Sequence, residues 1–129
     1  MNMDSRDKGK PTPLIRSFAY AIEGIRTAIK TERNIRIHLF ISFLVIGTSF
    51  FFSITKLEWL FVLLVIGGMF ALELMNSAIE RVVDLVTKEF HPLAKQAKDL
   101  AAGAVFIYAI VSVIIGLFIF LPYILELFF

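Results

Sequence analysis

The 129 residues are 58% apolar, include 14 phenylalanines and carry a formal charge of only +2. Soluble domains run at roughly 45–50% apolar, and a chain this short hides only about two thirds of its surface, so the excess requires a solvent other than water. The absence of cysteine excludes disulfide and thiolate chemistry, and so small a charge gives no basis for a nucleic-acid partner.

Residues 1–13, with two prolines and several charges, read as a flexible cytoplasmic tail, and residues 14–129 as a single membrane domain without internal repeats. From 14 to about 31, Ile15, Phe18, Ile22, Ile25 and Ile29 recur every three or four positions, with Arg16, Glu23, Arg26 and Lys30 between them. That is the period of an amphipathic helix. With no soluble core to pack on, its expected place is the inner membrane surface.

A helix needs about 20 mostly apolar residues to cross the hydrocarbon core. Three segments meet this, at about 34–54, 57–87 and 95–121. The first becomes apolar at Ile37. The second is uninterrupted from Leu60 to Leu72 and then continues as a helical pattern bearing charges. The third is free of charge from Leu100 and is stopped, on this reading, by Pro122. None reads as a cleaved signal peptide, because the first apolar run starts late and no small-residue cleavage site follows it. The expected fold class is therefore all-α and integral to the membrane, with three transmembrane helices preceded by a surface helix.

Lysine and arginine set the orientation. Twelve of the 13 basic residues lie before Ile37 or between Leu72 and Leu100, outside the uninterrupted apolar runs, and Lys56 alone lies in the first turn. The N-terminus and second loop are thus expected in the cytoplasm, and the first turn and C-terminus outside. Trp59 beside Glu58 suits the outer interface, where amphipathic rings settle.

Carboxylates inside a span are costly and are functional candidates for that reason. The second span carries Glu73, Ser77, Glu80 and Asp84 on one narrow stripe at about 100° per residue, with Asn76 beside it. Glu73 follows Trp59 by 14 residues. At 1.5 Å per residue it lies roughly 21 Å from the outer anchor, in the inner third of the membrane. One such acid would more readily be a polar contact between packed helices; three acids and an amide on one stripe favour a site. At that depth Glu73 is placed to accept a proton from a lipid hydroxyl. Glu80 and Asp84 meet polar species arriving from the cytoplasm.

Other charges converge there. Glu32, just before the first span, and Glu80 offer oxygen ligands that suit magnesium, which keeps several waters and shares substrate phosphates. Lys98 is either a point charge for a phosphate or half of an ordinary interfacial pair with Asp99. The small residues Ala101, Ala102, Gly103 and Ala104 follow and permit close helix approach. Neither a P-loop nor a kinase-like glycine-rich loop is present, Gly67-Gly68 fits helix packing, and His38 and His91 lack zinc-site spacing.

The stretch Glu73-Leu-Met-Asn76-Ser77-Ala-Ile-Glu80-Arg-Val-Val-Asp84, followed by Lys98-Asp99-Leu-Ala-Ala-Gly-Ala, resembles the small prokaryotic diacylglycerol kinase family, which includes the undecaprenol kinases of Gram-positive bacteria. The resemblance covers residues 14–121 and implies a homotrimeric helical bundle with active sites shared between subunits. It also implies ATP with magnesium, a lipid alcohol as acceptor, and the bacterial cell membrane as location. It makes Glu73 the catalytic base in contact with the substrate, and Glu32 and Glu80 the metal ligands that reach the nucleotide through the ion. Tyr20, Glu89, His91, Lys98 and Asp99 are then nucleotide contacts, with Asn76 and Asp84 in support. Gly67-Gly68-Met69-Phe70 and His91-Pro92-Leu93-Ala94-Lys95 look more like the Gram-positive branch, and His38 stands where the enterobacterial branch tends to carry an acid. The resemblance thus favours undecaprenol as acceptor over diacylglycerol. A small proton-coupled transporter is the rival of another class, but its acid belongs near the bilayer midplane.

Overall fold

The computed structural model describes residues 13–129, so the expected tail lies outside the described residues except for Pro13. Four helices follow in order: α1 (Leu14–Thr31), α2 (Arg33–Phe51), α3 (Lys56–Val86) and α4 (Pro92–Phe128). No strand occurs among the described residues.

Each junction has a local cause. Glu32 alone adopts an extended conformation between α1 and α2 (φ −106°, ψ 114°), which turns the chain and leaves its carboxylate at the corner. Arg36 reaches back to the final carbonyls of α1, donating to Ile29 O at 3.0 Å and Lys30 O at 3.1 Å. A cation there satisfies acceptors that the helix itself leaves open. Between α2 and α3, Ser53 takes a left-handed conformation (φ 49°). Thr55 then begins α3 with a capping box: its hydroxyl accepts from Glu58 N at 3.2 Å while Glu58 Oε2 accepts from Thr55 N at 2.9 Å. His91 caps α4 through Nδ1, which accepts from Leu93 N at 3.2 Å, and Pro92 takes the first helical position, where a missing N–H costs nothing.

Pro122 does not stop the third span. The helix passes through it to Phe128. A proline removes one hydrogen bond and bends the helix; in an apolar surrounding, keeping the remaining backbone bonds outweighs that loss.

α3 is the centre of the arrangement. It packs along α4, against α2 and lightly against α1, whereas α2 and α4 make no direct backbone approach. Ile54, Val62 and Ile119 form the main buried cluster, near the α2–α3 turn, with Trp59, Ile66, Ile115 and Tyr123 packed around it. Closer to mid-helix, a Cβ built on Gly68 would overlap the Tyr108 ring and hydroxyl, and that hydroxyl donates to Leu64 O at 2.7 Å. Gly68 is therefore required by packing, and Gly67 is not. Between α2, α3 and α4 remains an apolar cavity of about 330 Å³ that His38 lines at one end.

The three long helices keep most of their apolar side chains exposed: only 11%, 17% and 6% of their most apolar windows are buried. Fully hydrated surfaces of that kind are not stable in a soluble monomer, so this is a multi-pass membrane protein. Leu14, Ile15, Phe18, Ile22 and Ile25 of α1 are likewise exposed.

Candidate active site

Along α3 the stripe of polar residues grades from buried to open. Glu73 and Ser77 are buried, Glu80 is half-buried and Asp84 is exposed. Glu73 and Asp84 each meet a side chain from another helix, and Glu80 one from its own. Glu73 Oε1 lies 3.1 Å from His38 Nε2 of α2. An ionised carboxylate only accepts hydrogen bonds, so with Glu73 ionised Nε2 carries the proton and donates it. One turn farther along, Asn76 Nδ2 makes a long 3.4 Å contact to Glu80 Oε1, and Asn76 Oδ1 is buried without a partner among the described residues. A buried carbonyl of this kind needs an acceptor's complement from water, ligand or another chain.

The next residues carry exposed charge. Arg81 holds the Glu32 carboxylate at 3.1 Å and donates to Thr31 Oγ1 at 2.9 Å, which ties the α1–α2 corner to α3. Glu32 is thereby brought to the turn of α3 that bears Glu80. Lys98 Nζ donates to Asp84 Oδ1 at 2.7 Å, joining the start of α4 to the end of α3. Lys95 pairs with Asp99 one turn along the same helix. Exposed pairs of this kind contribute little to stability and exchange partners easily.

Seven of the sequence-selected residues lie towards one end of the bundle in separate pairs: Glu73 with His38, Asn76 with Glu80, Glu32 with Arg81, Asp84 with Lys98, and Asp99 with Lys95. No side-chain hydrogen bond or ion pair joins Tyr20, Glu89 or His91 to them among the described residues; Tyr20 is exposed, and His91 is engaged in capping α4. No three His, Asp or Glu side chains among the described residues converge into a metal cage. Glu32, paired with Arg81, and Glu80, contacted by Asn76, carry oxygen donors of the type magnesium takes one or two at a time, with water and phosphate supplying the rest.

Sequence reasoning passed over His38 and Arg81. His38 was weighed as a zinc ligand and as a mark of the family branch, not as a partner of Glu73; the usable signal was a lone imidazole inside an apolar run, on the same side of the membrane as the buried acid. Arg81 gave no signal, because its partner Glu32 is 49 positions away and only packing makes them neighbours.

The prokaryotic diacylglycerol kinase family model matches residues 19–120. An undecaprenol kinase from Bacillus subtilis is 48% identical over 121 residues, covering 93% of this chain and 98% of the relative. A diacylglycerol kinase from Synechocystis is 43% identical over 115 residues, covering 88% of this chain and 66% of the relative. A diacylglycerol kinase from Haemophilus influenzae is 38% identical over 106 residues, covering 81% and 90%.

Proposed function

The chain belongs to the prokaryotic diacylglycerol kinase family, and on that footing we propose that this lipid kinase uses ATP and magnesium to phosphorylate undecaprenol at the cytoplasmic face of the cell membrane. The observation that carries the reading is Glu73: a buried carboxylate on an apolar helix, with one oxygen held by His38, at the edge of a half-exposed charged cluster.

The reaction needs an acceptor hydroxyl held in line with the γ-phosphorus, compensation of phosphate charge and a destination for the hydroxyl proton. Glu73 takes that proton as the new P–O bond forms and the bond from the γ-phosphorus to the bridging oxygen breaks, releasing ADP. Glu32 and Glu80 would hold magnesium, which neutralises charge on the phosphates when bound. Lys98 would leave its exposed pair with Asp84 for a phosphate oxygen, with Tyr20, Glu89, His91 and Asp99 as further nucleotide contacts. Asn76 steadies Glu80 meanwhile, and Asp84 holds Lys98 at the site only until the phosphate takes its place.

The working unit in this reading is a homotrimer with shared sites. Support comes from the wide exposed apolar faces and from the orphaned Asn76 Oδ1, which calls for a group that the described residues of this subunit do not supply. α1 lies on the inner membrane surface with its exposed apolar stripe in the acyl region, and its position beside Glu32 lets a lipid headgroup enter from the side. The excess of basic residues on that side supports a cytoplasmic N-terminus and an external C-terminus.

The acceptor is chosen on the 48% identity to the Bacillus subtilis undecaprenol kinase. Diacylglycerol is the second reading, favoured by the names of the Synechocystis and Haemophilus relatives. Purified protein in lipid nanodiscs, given ATP, magnesium and each alcohol separately, should show a higher kcat/KM for undecaprenol. A preference for diacylglycerol would reverse the choice of acceptor, and no transfer to either would defeat the kinase reading.

A further inference from the structure

The chain has two histidines. His91 is used by the backbone of α4. His38 spends its Nε2 on Glu73, across an interface between two helices, and no other hydrogen bond reaches the Glu73 carboxylate among the described residues. The Glu73 side chain is only 4% exposed, whereas that of His38 is 26% exposed.

The surroundings leave Glu73 few substitutes. His38 also lines the apolar cavity between α2, α3 and α4. The two hydroxyls on that lining are turned to their own helices: Ser42 donates to His38 O and Ser112 to Tyr108 O, each at 2.7 Å. The nearest amide on the stripe, Asn76, points its Nδ2 to Glu80. The direction of the Glu73 carboxylate is therefore set by one imidazole. The Ser42 bond accepted by the His38 carbonyl adds a second tie within α2, one turn along.

From this geometry we propose that His38 is the positioning residue for Glu73: it binds Oε1 and so directs Oε2 towards the acceptor hydroxyl. This rests on the reading of Glu73 as the base. His38 itself touches no reacting atom. The hydroxyl proton passes to Glu73 as the phosphoryl group is transferred; His38 keeps its Nε2 proton throughout, and Glu73 returns its own to water before the next turnover. A simple polar contact between helices would make the same bond, but it would not tie the imidazole to the rate of the chemical step.

The test uses the full chain in nanodiscs with undecaprenol, ATP and magnesium. His38→Leu removes the donor and should lower kcat by about 10- to 100-fold, the loss expected of a misdirected catalytic group, with KM for ATP unchanged. His38→Gln, which places an N–H donor at similar reach, should recover most of kcat. An unchanged kcat in His38→Leu would overturn the proposal, as would a loss confined to the lipid KM or a His38→Gln protein as slow as His38→Leu. Nitrogen-15 NMR of the imidazole, in a His91→Gln background where His38 is the only histidine, gives a readout independent of activity. Glu73→Gln should shift the His38 signals, and an unmoved spectrum would show that the contact is absent in the membrane. The two readings fail separately. If Glu73→Gln abolishes turnover while His38→Leu does not slow it, the positioning role alone falls. If Glu73→Gln turns over normally, the base itself is lost, and with it the role of His38.

Discussion

The two ends of the helical bundle use polar residues in opposite ways. At the α2–α3 turn, Glu58 closes a capping box with Thr55 and accepts from Tyr123 Oη at 2.7 Å. The Tyr123 ring stacks on Phe52 at 5.5 Å, and Trp59 meets Phe50 edge-on at 4.9 Å. Its hydrogen bonds and rings answer one another within that end, and the main buried cluster lies beside them. At the other end the cross-helix ion pairs Arg81–Glu32 and Lys98–Asp84 are open to solvent, and Asn76 Oδ1 has no partner among the described residues. Closed circuits of polar groups fix a fold. Groups whose partners can be exchanged at low cost are available to a ligand. That difference is what supports the proposal that the chemistry takes place at the end bearing Glu73 and Glu80.

That division can be broken by experiment. The largest effect is expected for Glu73→Gln, which should lower turnover by about 10²- to 10⁴-fold, the usual worth of a general base, while the protein still assembles. Near-normal kinase rates would remove Glu73 from the chemistry. Glu80→Ala should come next. It should raise the magnesium concentration for half-maximal rate by at least about tenfold, the lower bound even for groups that touch a metal only through its ligands. An unaltered magnesium dependence would count against the metal role.

The middle of the bundle should respond in stability. Gly68→Ala drives a methyl group into Tyr108 and should cost about 1–3 kcal/mol, read as a lower thermal midpoint in detergent. Combining it with Tyr108→Leu should restore part of the loss, and a Gly68→Ala protein as stable as the natural chain would show that the close approach is not needed. The smallest effect belongs to the turn end. Thr55→Ala breaks the capping box and should cost about 0.5–2 kcal/mol with kcat unchanged. If it slowed turnover as Glu73→Gln does, the contrast between the ends would not hold.

Much of this was legible without coordinates. Hydropathy over about 20 residues gave the three spans, and a period of three to four gave the helix before them. The angular spacing of Glu73, Ser77, Glu80 and Asp84 put them on one stripe, which the structure shows descending from buried to exposed. Motif likeness gave the family. These properties are local: each depends on a dozen or two successive residues and on the fixed geometry of a helix. Pro122 misled because its steric rule is also local, whereas the persistence of the helix beyond it depends on the apolar environment of the whole segment.

What only the tertiary structure decided were the pairings between helices. That His38 faces Glu73, that Arg81 takes Glu32, that Lys98 reaches Asp84 and that Tyr108 requires a glycine at position 68 all follow from the depth and rotation of one helix against another. Those are set by the sum of many side-chain contacts along α3, and no short stretch of sequence contains that sum. The amino-acid sequence by itself determined that acids would stand on one face of a membrane helix. Packing determined which partner each acid would have.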